Sequence, residues 1–141
     1  NNMIDPIADM LTRIRNASLV KKSEILLPMS KVKFNVAKIL EKEGFVTSVS
    51  IVEADKSLQK NKAAKFDQIK IVLKYEKDGQ PRISSLKRIS KPGRRVYIGK
   101  DEIQKVLNGF GVSVISTSSG MMTGKEARKK NIGGEFICEI Y

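Results

Sequence analysis

Four consecutive hydroxyl residues followed by a glycine form the stretch best suited to hydrogen-bond a ligand. Ser116, Thr117, Ser118 and Ser119 follow a short apolar segment and precede Gly120. Each hydroxyl can both donate and accept a hydrogen bond, and glycine tolerates positive φ and lets another backbone approach closely. The pattern predicts either a binding loop lined by small polar groups or a turn whose serines satisfy their own backbone.

The net charge of the chain favours a binding loop, because it indicates a polyanionic partner. The 141 residues carry a formal net charge of +12. Residues 1–75 hold 14 Lys and Arg against 8 Asp and Glu, and residues 76–141 hold 13 against 7, so each half carries +6. Both halves of a folded body could therefore touch the partner. Nucleic acid is the first candidate and an anionic membrane the second.

The lack of histidine narrows the chemistry that the chain can perform. The sequence has no His and one cysteine, Cys138, which removes the usual general base and any Cys/His zinc site within the chain. It also lacks a Gly-x-Ser-x-Gly nucleophile elbow. A serine or Cys138 activated by a lysine is the remaining enzymatic alternative. We therefore expect a protein that is not an enzyme and that has no catalytic residue, metal or cofactor.

Compartment signals in the sequence favour the cytoplasm and no membrane partner. No apolar run approaches the roughly 20 residues of a membrane span, and the start shows no signal-peptide pattern. One cysteine cannot form an intramolecular disulfide, which fits a reducing compartment.

A capped amphipathic helix is predicted near the start. Asp5 is a good N-cap, and Pro6 suits the first helical position. Four apolar residues then recur at helical spacing: Ile7, Met10, Leu11 and Ile14. A loop is expected from Ser18 to Lys22.

A short strand and a second helix should follow. The strand covers Ile25 to Leu27 and ends at Pro28, Ser30 is expected to cap the helix, and Gly44 to end it. Its buried stripe is predicted to contain Val32, Val36, Ile39 and Leu40. Because a strand separates the two helices, a DNA-binding helix-turn-helix, which is the other nucleic-acid alternative, is disfavoured.

Two strands and a polar loop complete the first half. Phe45 to Val52 is predicted to be a strand, and Glu53 to Lys65 an exposed loop. A second strand is indicated by alternation of polar residues with four apolar ones: Ile69, Ile71, Leu73 and Tyr75. Asp78-Gly79 marks a turn.

The second half is expected to be mostly β. Residues 82–105 carry eight basic and two acidic side chains. Strands are predicted from Ile83 to Ile89 and from Arg94 to Ile98, with a turn at Lys91-Pro92-Gly93 between them. Asp101 should cap a short helix that reaches Leu107.

The remaining elements surround the hydroxyl stretch. A strand is predicted from Val112 to Ile115, and Thr123 with Glu126 fits the capping box of a last helix that reaches Lys130. The closing strand should run from Glu135 to Tyr141. Three of its residues are expected to alternate inward, which makes the cysteine a small core residue: Phe136, Cys138 and Ile140.

Arg95 and Tyr97 should share one exposed face of the strand at 94–98. Val96 and Ile98 take the alternate positions and would face the core. An arginine beside an aromatic ring makes a platform on which a base or sugar can stack. The alternative is a tyrosine at a sheet margin with its ring partly covered.

Together these elements predict an α+β fold with two small domains. Residues 1–76 would form an amino-terminal α-β-α-β-β domain, in which two helices pack on a small sheet. Residues 77–141 would form a carboxy-terminal, mostly β domain with short helices.

Several separated motifs resemble those of the bacterial small-subunit ribosomal protein eight family. In chain order they are Asp5 to Ala17, Glu43-Gly44-Phe45, Arg88 to Gly93 with Arg95-Val96-Tyr97, and Ser116 to Thr123 with Ala127-Arg128 and Gly133-Gly134-Glu135. The resemblance extends nearly from end to end, and the order of the motifs makes it more specific than any single one. Gly124 departs from the family, which usually has an acidic residue there.

The resemblance implies a primary ribosomal-RNA-binding protein of the small subunit. Family members bind the central domain of small-subunit ribosomal RNA early in assembly, next to other small-subunit ribosomal proteins. Some also repress translation of their own operon by binding a similar element in the messenger RNA. Residues 77–141 would then be the RNA-binding domain.

The candidate RNA contacts divide into three groups. The resemblance implies contacts in the carboxy-terminal half by Ser116, Thr117, Ser118, Gly120, Tyr97 and Glu135, next to which Ser119 is a further candidate. It implies contacts in the amino-terminal half by Thr12, Arg15, Asn16 and Lys31. The basic segment adds Arg88, Lys91 and Arg95 as predicted phosphate contacts.

A division of labour between these residues is expected. Lysine and arginine contacts to phosphates give affinity but no sequence choice. Small hydroxyl side chains can enter the shallow minor groove of an RNA helix, where 2′-hydroxyls and base edges are exposed. A carboxylate near RNA is otherwise repelled, so Glu135 is predicted to accept hydrogen bonds from loop donors, a base amino group or an arginine.

Overall fold

Residues 5–54, 66–103 and 111–141 are described by the computed structural model of the chain. They fold as two compact units, Thr12–Arg82 and Asn1–Leu11 with Ile83–Tyr141. Helices and antiparallel sheets make up both halves of the sequence, which confirms the α+β class. The boundary between 1–76 and 77–141 stays a prediction. No helix within the described ranges has the length and apolar character to cross a membrane.

Helix α1 (Pro6–Leu19) starts as the sequence predicts. The Asp5 carboxylate accepts a hydrogen bond from the backbone N–H of Ala8 at 3.1 Å, so Asp5 satisfies one of the donors that a helix start leaves unpaired. The four predicted apolar residues are all buried: Ile7, Met10, Leu11 and Ile14.

The end of α1 lies beyond the predicted loop start at Ser18. The backbone N–H groups of Lys21 and Lys22 donate to the carbonyls of Ser18 and Ala17 at 3.2 and 3.0 Å. Lys21 takes the left-handed conformation, with φ of 57°. This bonding pattern commonly ends a helix at a glycine. Because a lysine occupies that position here, no sequence signal marked the end of the helix.

Three antiparallel strands form the sheet of the Thr12–Arg82 unit. They are β1 (Glu24–Pro28), β2 (Val46–Val52) and β3 (Gln68–Leu73), in the order β1-β3-β2. Ile69, Ile71 and Leu73 are buried as predicted. Tyr75 lies past the end of β3, in an isolated bridge with Pro81, which the turn at Asp78-Gly79 makes possible.

Helix α2 (Lys31–Lys42) has both predicted ends. The Ser30 hydroxyl accepts from the Lys33 backbone N–H at 3.3 Å, and Gly44 follows the C-cap with φ of +81°. The prediction that Val32 is buried was wrong, because its side chain is 47% exposed. Residues spaced by four drift about 40° per step around a helix with 3.6 residues per turn, so the first member of the stripe turns away from the core.

A five-stranded antiparallel sheet forms the centre of the other unit. It consists of β4 (Leu86–Arg88), β5 (Tyr97–Ile98), β6 (Val112–Thr117), β7 (Gly120–Thr123) and β8 (Gly134–Ile140). Strand β8 pairs with β4 and β5 along one edge and with β6 along the other, and β7 lies outside β6. Helix α3 (Gly124–Lys130) follows β7 and starts with the predicted capping box of Thr123 and Glu126.

Apolar side chains of this sheet and of α3 form a core. Its buried members are Ile98, Ile103, Ile115, Met122, Ala127 and Phe136. Cys138 is buried as predicted, and burial raises the pKa of its thiol to about 12. A protonated, enclosed thiol is a poor nucleophile, so Cys138 is a core residue.

Strands β4 and β5 are shorter than predicted. The backbone N–H groups of Ser84 and Ser85 both donate to the Tyr141 carbonyl at 2.7 Å, and the Val96 N–H donates to the Ser90 hydroxyl at 3.0 Å. These donors are satisfied outside regular ladders, so the predicted strands at 83–89 and 94–98 shrink to three and two residues. The turn at Lys91-Pro92-Gly93 is confirmed by paired bonds between Lys91 and Arg94.

The hydroxyl stretch is a β-hairpin and not a loop that opens directly into a helix. Strand β6 continues through Ser116 and Thr117, Ser118 and Ser119 form the turn, and Gly120 starts β7. The predicted helix from Asp101 to Leu107 and the loop from Glu53 to Lys65 lie mostly outside the described residues.

Candidate nucleic-acid interface

Three predicted contact residues lie in one row across adjacent strands. Tyr97 of β5 pairs with Glu135 of β8, which pairs with Ser116 of β6, and Ser116 pairs with Met121 of β7. Directly paired residues of antiparallel strands project to the same face. At about 4.8 Å between strands, the row extends roughly 10 Å from the tyrosine to the serine.

The aromatic member of the row is exposed, and the other two members are half-buried. Tyr97 is 69% exposed, whereas its neighbour in the strand, Ile98, is buried. Arg95 is exposed and Val96 half-buried, so the predicted alternation of faces is confirmed. The tyrosine ring is therefore open to stacking and not covered at a sheet margin.

Two consecutive glycines let the strands beside the row approach closely. A Cβ added to Gly134 would lie 2.2 Å from the carbonyl oxygen of Ser116. A Cβ added to Gly133 would lie 2.3 Å from the carbonyl oxygen of Ile98. Any side chain at these positions would push the backbone of β5 or β6 away, so the spacing of the row depends on both glycines.

The hairpin turn divides its hydroxyls into structural and available ones. Thr117 Oγ1 donates to the Gly120 carbonyl at 2.7 Å and accepts from the Ser119 backbone N–H at 3.1 Å. The Ser116, Ser118 and Ser119 hydroxyls have no hydrogen-bond partner within the described ranges, and Ser118 and Ser119 are exposed. Thr117 thus holds the turn, and the three serines can bond a ligand.

Glu135 is held by two donors from the basic segment. Its Oε2 accepts from Arg95 Nη1 at 2.8 Å and from the Ser90 hydroxyl. Burial opposes ionisation, but the bonds from Ser90 and Arg95, with the charges of Arg95 and Arg88, outweigh it and lower the pKa of Glu135 below its ordinary value. The carboxylate is therefore charged at neutral pH, and Arg95 offsets the repulsion it would exert on RNA.

Ser90 is a positioning residue that sequence reasoning did not single out. It is fully buried, and its hydroxyl accepts from the Val96 N–H while donating to Glu135. It thereby ties the start of the Tyr97 strand to the middle of the row. A serine in a basic segment carries no local signal for this role, because its partners are 6 and 45 residues away.

Arg88 differs from the other basic candidates because its side chain is only 9% exposed. Its Nε lies 3.1 Å from Asp5 Oδ2, and its Nη1 donates to the Ile137 carbonyl at 2.7 Å. A guanidinium held in this way is not presented to a phosphate. Lys91 and Arg94, in contrast, are exposed at the turn beside Arg95.

The amino-terminal candidates lie in the other unit and are all exposed. Thr12, Arg15 and Asn16 follow each other on α1 at spacings of three and one, which places them on one side of the helix. Lys31 is the first residue of α2. All four are exposed polar or basic positions, and their role stays a prediction.

Comparison with known proteins decides which family the chain is part of. The family model described as "Ribosomal protein S8" matches residues 5–141, which include every residue of the row and of the hairpin. The chain belongs to the ribosomal protein S8 family. This confirms the resemblance on which the predicted contacts rest. Ribosomal protein S8 is a structural component of the ribosome and not an enzyme, so the nucleophile alternative is set aside.

Curated relatives agree with this assignment. The chain is 50% identical over 139 residues to the "Small ribosomal subunit protein uS8" of Streptococcus pyogenes serotype M5 (strain Manfredo), which covers 99% of this chain and 98% of the relative. The proteins of the same name from serotypes M1 and M18 match with the same identity and coverage. The similarity to these relatives therefore extends over both compact units of the chain.

The row of Tyr97, Glu135 and Ser116 carries functional groups that can bind RNA. It combines a stackable ring, hydroxyls that can meet 2′-hydroxyls or base edges, and a carboxylate that can accept from a base amino group. Exposed cations of the adjacent turn can meet phosphates. No cluster of His, Cys, Asp and Glu suited to hold a metal ion occurs within the described part of the chain.

Proposed function

We propose that this chain is a primary ribosomal-RNA-binding protein of the small ribosomal subunit. It binds the central domain of small-subunit ribosomal RNA, organises assembly there beside neighbouring ribosomal proteins, and so acts in the cytoplasm. The observation that carries the proposal is the row in which exposed Tyr97 lies beside half-buried Glu135 and Ser116, next to the exposed serine turn. Family membership and a net charge of +12 support it.

Shape recognition is assigned to the hairpin. Ser116, Ser118 and Ser119 supply hydroxyls without internal partners in the described ranges, and such small groups can approach base edges and 2′-hydroxyls closely. Thr117 and Gly120, which has φ of +113°, act indirectly because they fix the turn. RNA would be distinguished from DNA through the 2′-hydroxyl.

Tyr97 is assigned to stacking on a base, and Glu135 is assigned to hydrogen bonding with the edge of a base. The Tyr97 ring can stack on an unpaired base, a contact worth about 1–3 kcal/mol. Arg95 and Ser90 both bond Oε2 of Glu135, which leaves Oε1 to accept from a base amino group. The carboxylate then accepts a hydrogen bond from the base amino group, and Arg95 balances its negative charge.

Phosphate contacts supply the remaining affinity. Lys91, Arg94 and Arg95 are exposed around the 91–94 turn, and the amino-terminal set of Thr12, Arg15, Asn16 and Lys31 adds a second surface. Each phosphate that a cation neutralises releases counterions, so binding weakens as salt rises. Arg88 is left out of this set because its guanidinium is enclosed.

Binding to a ribosomal RNA fragment tests the proposal directly. The full chain is titrated by filter binding with a central-domain fragment, with a duplex DNA of equal length, and with an unrelated RNA hairpin as matched competitors. We expect the fragment to bind about a thousandfold tighter or more than either competitor, which is the range that separates specific from non-specific nucleic-acid complexes. Equal affinity for all three would contradict the proposal.

The same surface also supports a regulatory use. A messenger element that folds like the ribosomal RNA site would bind the same row and turn. Once the protein has occupied all available ribosomal RNA sites, the excess protein would bind the messenger and repress translation of its own operon. A competition assay checks this: the ribosomal fragment should displace the leader of the operon messenger, and Ser118→Ala should weaken both complexes equally. Independent binding of the two RNAs would refute the shared site.

A further inference from the structure

A one-residue bulge in β8 decides which face Glu135 occupies. The register with β6 pairs Val114 with Cys138 but the next residue, Ile115, with Phe136, so Ile137 is the extra residue. Side chains alternate along a strand, and a slip by one residue sends them all to the other face. Without the bulge, Glu135 would point to the face that holds Phe136 and the apolar core.

The carbonyl of the bulge residue is where Arg88 binds. The Ile137 oxygen accepts from Arg88 Nη1 at 2.7 Å and from the backbone N–H of Ile89 at 3.0 Å. A bulge disrupts the regular ladder and needs other partners for its backbone groups. The guanidinium supplies a charge-assisted donor at that point, which is stronger than a neutral one.

Asp5 fixes the guanidinium from the opposite side. Its two carboxylate oxygens lie 3.1 and 3.3 Å from Arg88 Nε and Nη2, and the two side chains are 16% and 9% exposed. This two-pronged geometry matches the planar fork of arginine and is not available to lysine. The Arg88 charge also contributes to the lowered pKa of Glu135.

We propose that Arg88, clamped by Asp5, is a positioning residue that holds the β8 bulge and thereby keeps Glu135 between Tyr97 and Ser116. The inference rests on the proposed RNA-binding function. Arg88 itself does not touch the RNA, although it lies in the basic segment. Its effect passes through the Ile137 carbonyl to the residue two positions earlier in β8.

Two conservative variants of the full chain test this claim. Asp5→Asn keeps a good N-cap for α1 but removes the charge that clamps Arg88, and Arg88→Lys keeps the charge but loses the fork. Lys87→Met is the matched control, because Lys87 is the adjacent exposed residue of β4. Each protein is titrated with the central-domain RNA fragment at several salt concentrations.

We expect both variants to bind about tenfold more weakly, the factor that corresponds to one charge-assisted hydrogen bond, with an unchanged salt slope. In the free proteins, NMR should show weaker cross-strand contacts between Glu135 and Ser116 in both variants, and a higher Glu135 pKa in Arg88→Lys. The control should leave the Glu135 pKa and these contacts unchanged.

Three outcomes would overturn the proposal. Full affinity in Arg88→Lys, or tighter binding by Asp5→Asn, would identify Arg88 as a phosphate contact. A lower unfolding midpoint with unchanged Glu135 pKa and cross-strand contacts would leave only a role in stability. If the parent protein fails to bind the fragment, the proposed function fails, and the NMR measurements still decide whether Arg88 positions Glu135.

Discussion

Individual side chains in this protein divide into those that hold the surface through internal bonds and those that stay exposed and are proposed to meet the RNA. Internal hydrogen bonds engage the polar groups of Thr117, Ser90 and Arg88. The side chains of Ser118 and Tyr97, in contrast, are exposed. Sequence reasoning recognised the residue types but could not separate the two classes. Asp5 and Arg88 are 83 residues apart, and no local pattern reveals that such a pair meets.

Removal of a turn hydroxyl tests the role of the serines. Ser118→Ala should weaken binding of the central-domain fragment about threefold to tenfold, the effect of one lost hydrogen bond, with an unchanged thermal midpoint. Ser84→Ala is the matched control, because Ser84 is also exposed and in the same unit. Equal affinity of Ser118→Ala and the parent in filter binding would remove this hydroxyl from the interface.

The lowered pKa of Glu135 predicts a specific acid sensitivity. Because the folded-state pKa lies below the unfolded value, ionised Glu135 stabilises the fold fully above the ordinary glutamate pKa of about 4.3. This contribution disappears as pH falls through the lower folded value. The difference in unfolding free energy between the parent and Glu135→Gln, measured in urea, should therefore be full at pH 7 and shrink as the pH is lowered below the ordinary glutamate pKa, and a constant difference would contradict the lowered pKa.

At the level of elements, the helices were more predictable than the sheets. Asp5, Ser30 and Thr123 cap their helices as expected because capping is local. The β6–β7 hairpin was missed because a Ser-Ser turn lacks the Asn-Gly type of signal and Met121-Met122 has no marked strand preference. The bulge at Ile137 could not be predicted from a sequence pattern, because its backbone is bound by Arg88 and Ile89, which are distant in sequence.

The close packing of β6 and β8 can be tested at one glycine. Gly134→Ala should destabilise the protein by about 1–3 kcal/mol, the usual effect of overpacking, because the new methyl group would meet the Ser116 carbonyl. RNA binding should fall as well, since the row widens. Gly99→Ala is the control, because its methyl group would meet only the flexible Glu102 side chain. Equal urea midpoints for the two variants would show that β6 and β8 tolerate the methyl group.

At the level of the whole molecule, positive charge is expected to supply affinity for RNA but no preference for a particular RNA sequence. Each half of the sequence carries +6, so composition alone predicted a polyanionic partner, and we expect phosphate contacts along both halves of the sequence. The particular RNA could not be derived from charge, because Lys and Arg read phosphates and not sequence. Family motifs supplied that part of the prediction.

The salt dependence of binding separates cations that meet phosphates from those that do not. Lys91→Ala and Arg94→Ala should each lower the slope of log affinity against log salt by about 0.7–0.9 per lost contact. Lys38→Ala is the control, because Lys38 bonds Glu41 at 2.7 Å. The slope is read from titrations at four or more salt concentrations. If all three slopes matched the parent, the 91–94 turn would lie outside the footprint.

One face of the molecule, formed by the row of Tyr97, Glu135 and Ser116 with the serine turn, is proposed to meet the RNA. An NMR titration of the labelled full chain with the central-domain fragment tests it most directly. We expect the backbone amide signals of this face to shift first and to saturate together, namely those of Tyr97, Ser116, Ser118, Ser119 and Glu135. If these signals stay in place while those of the β1-β3-β2 sheet shift, the claim is contradicted.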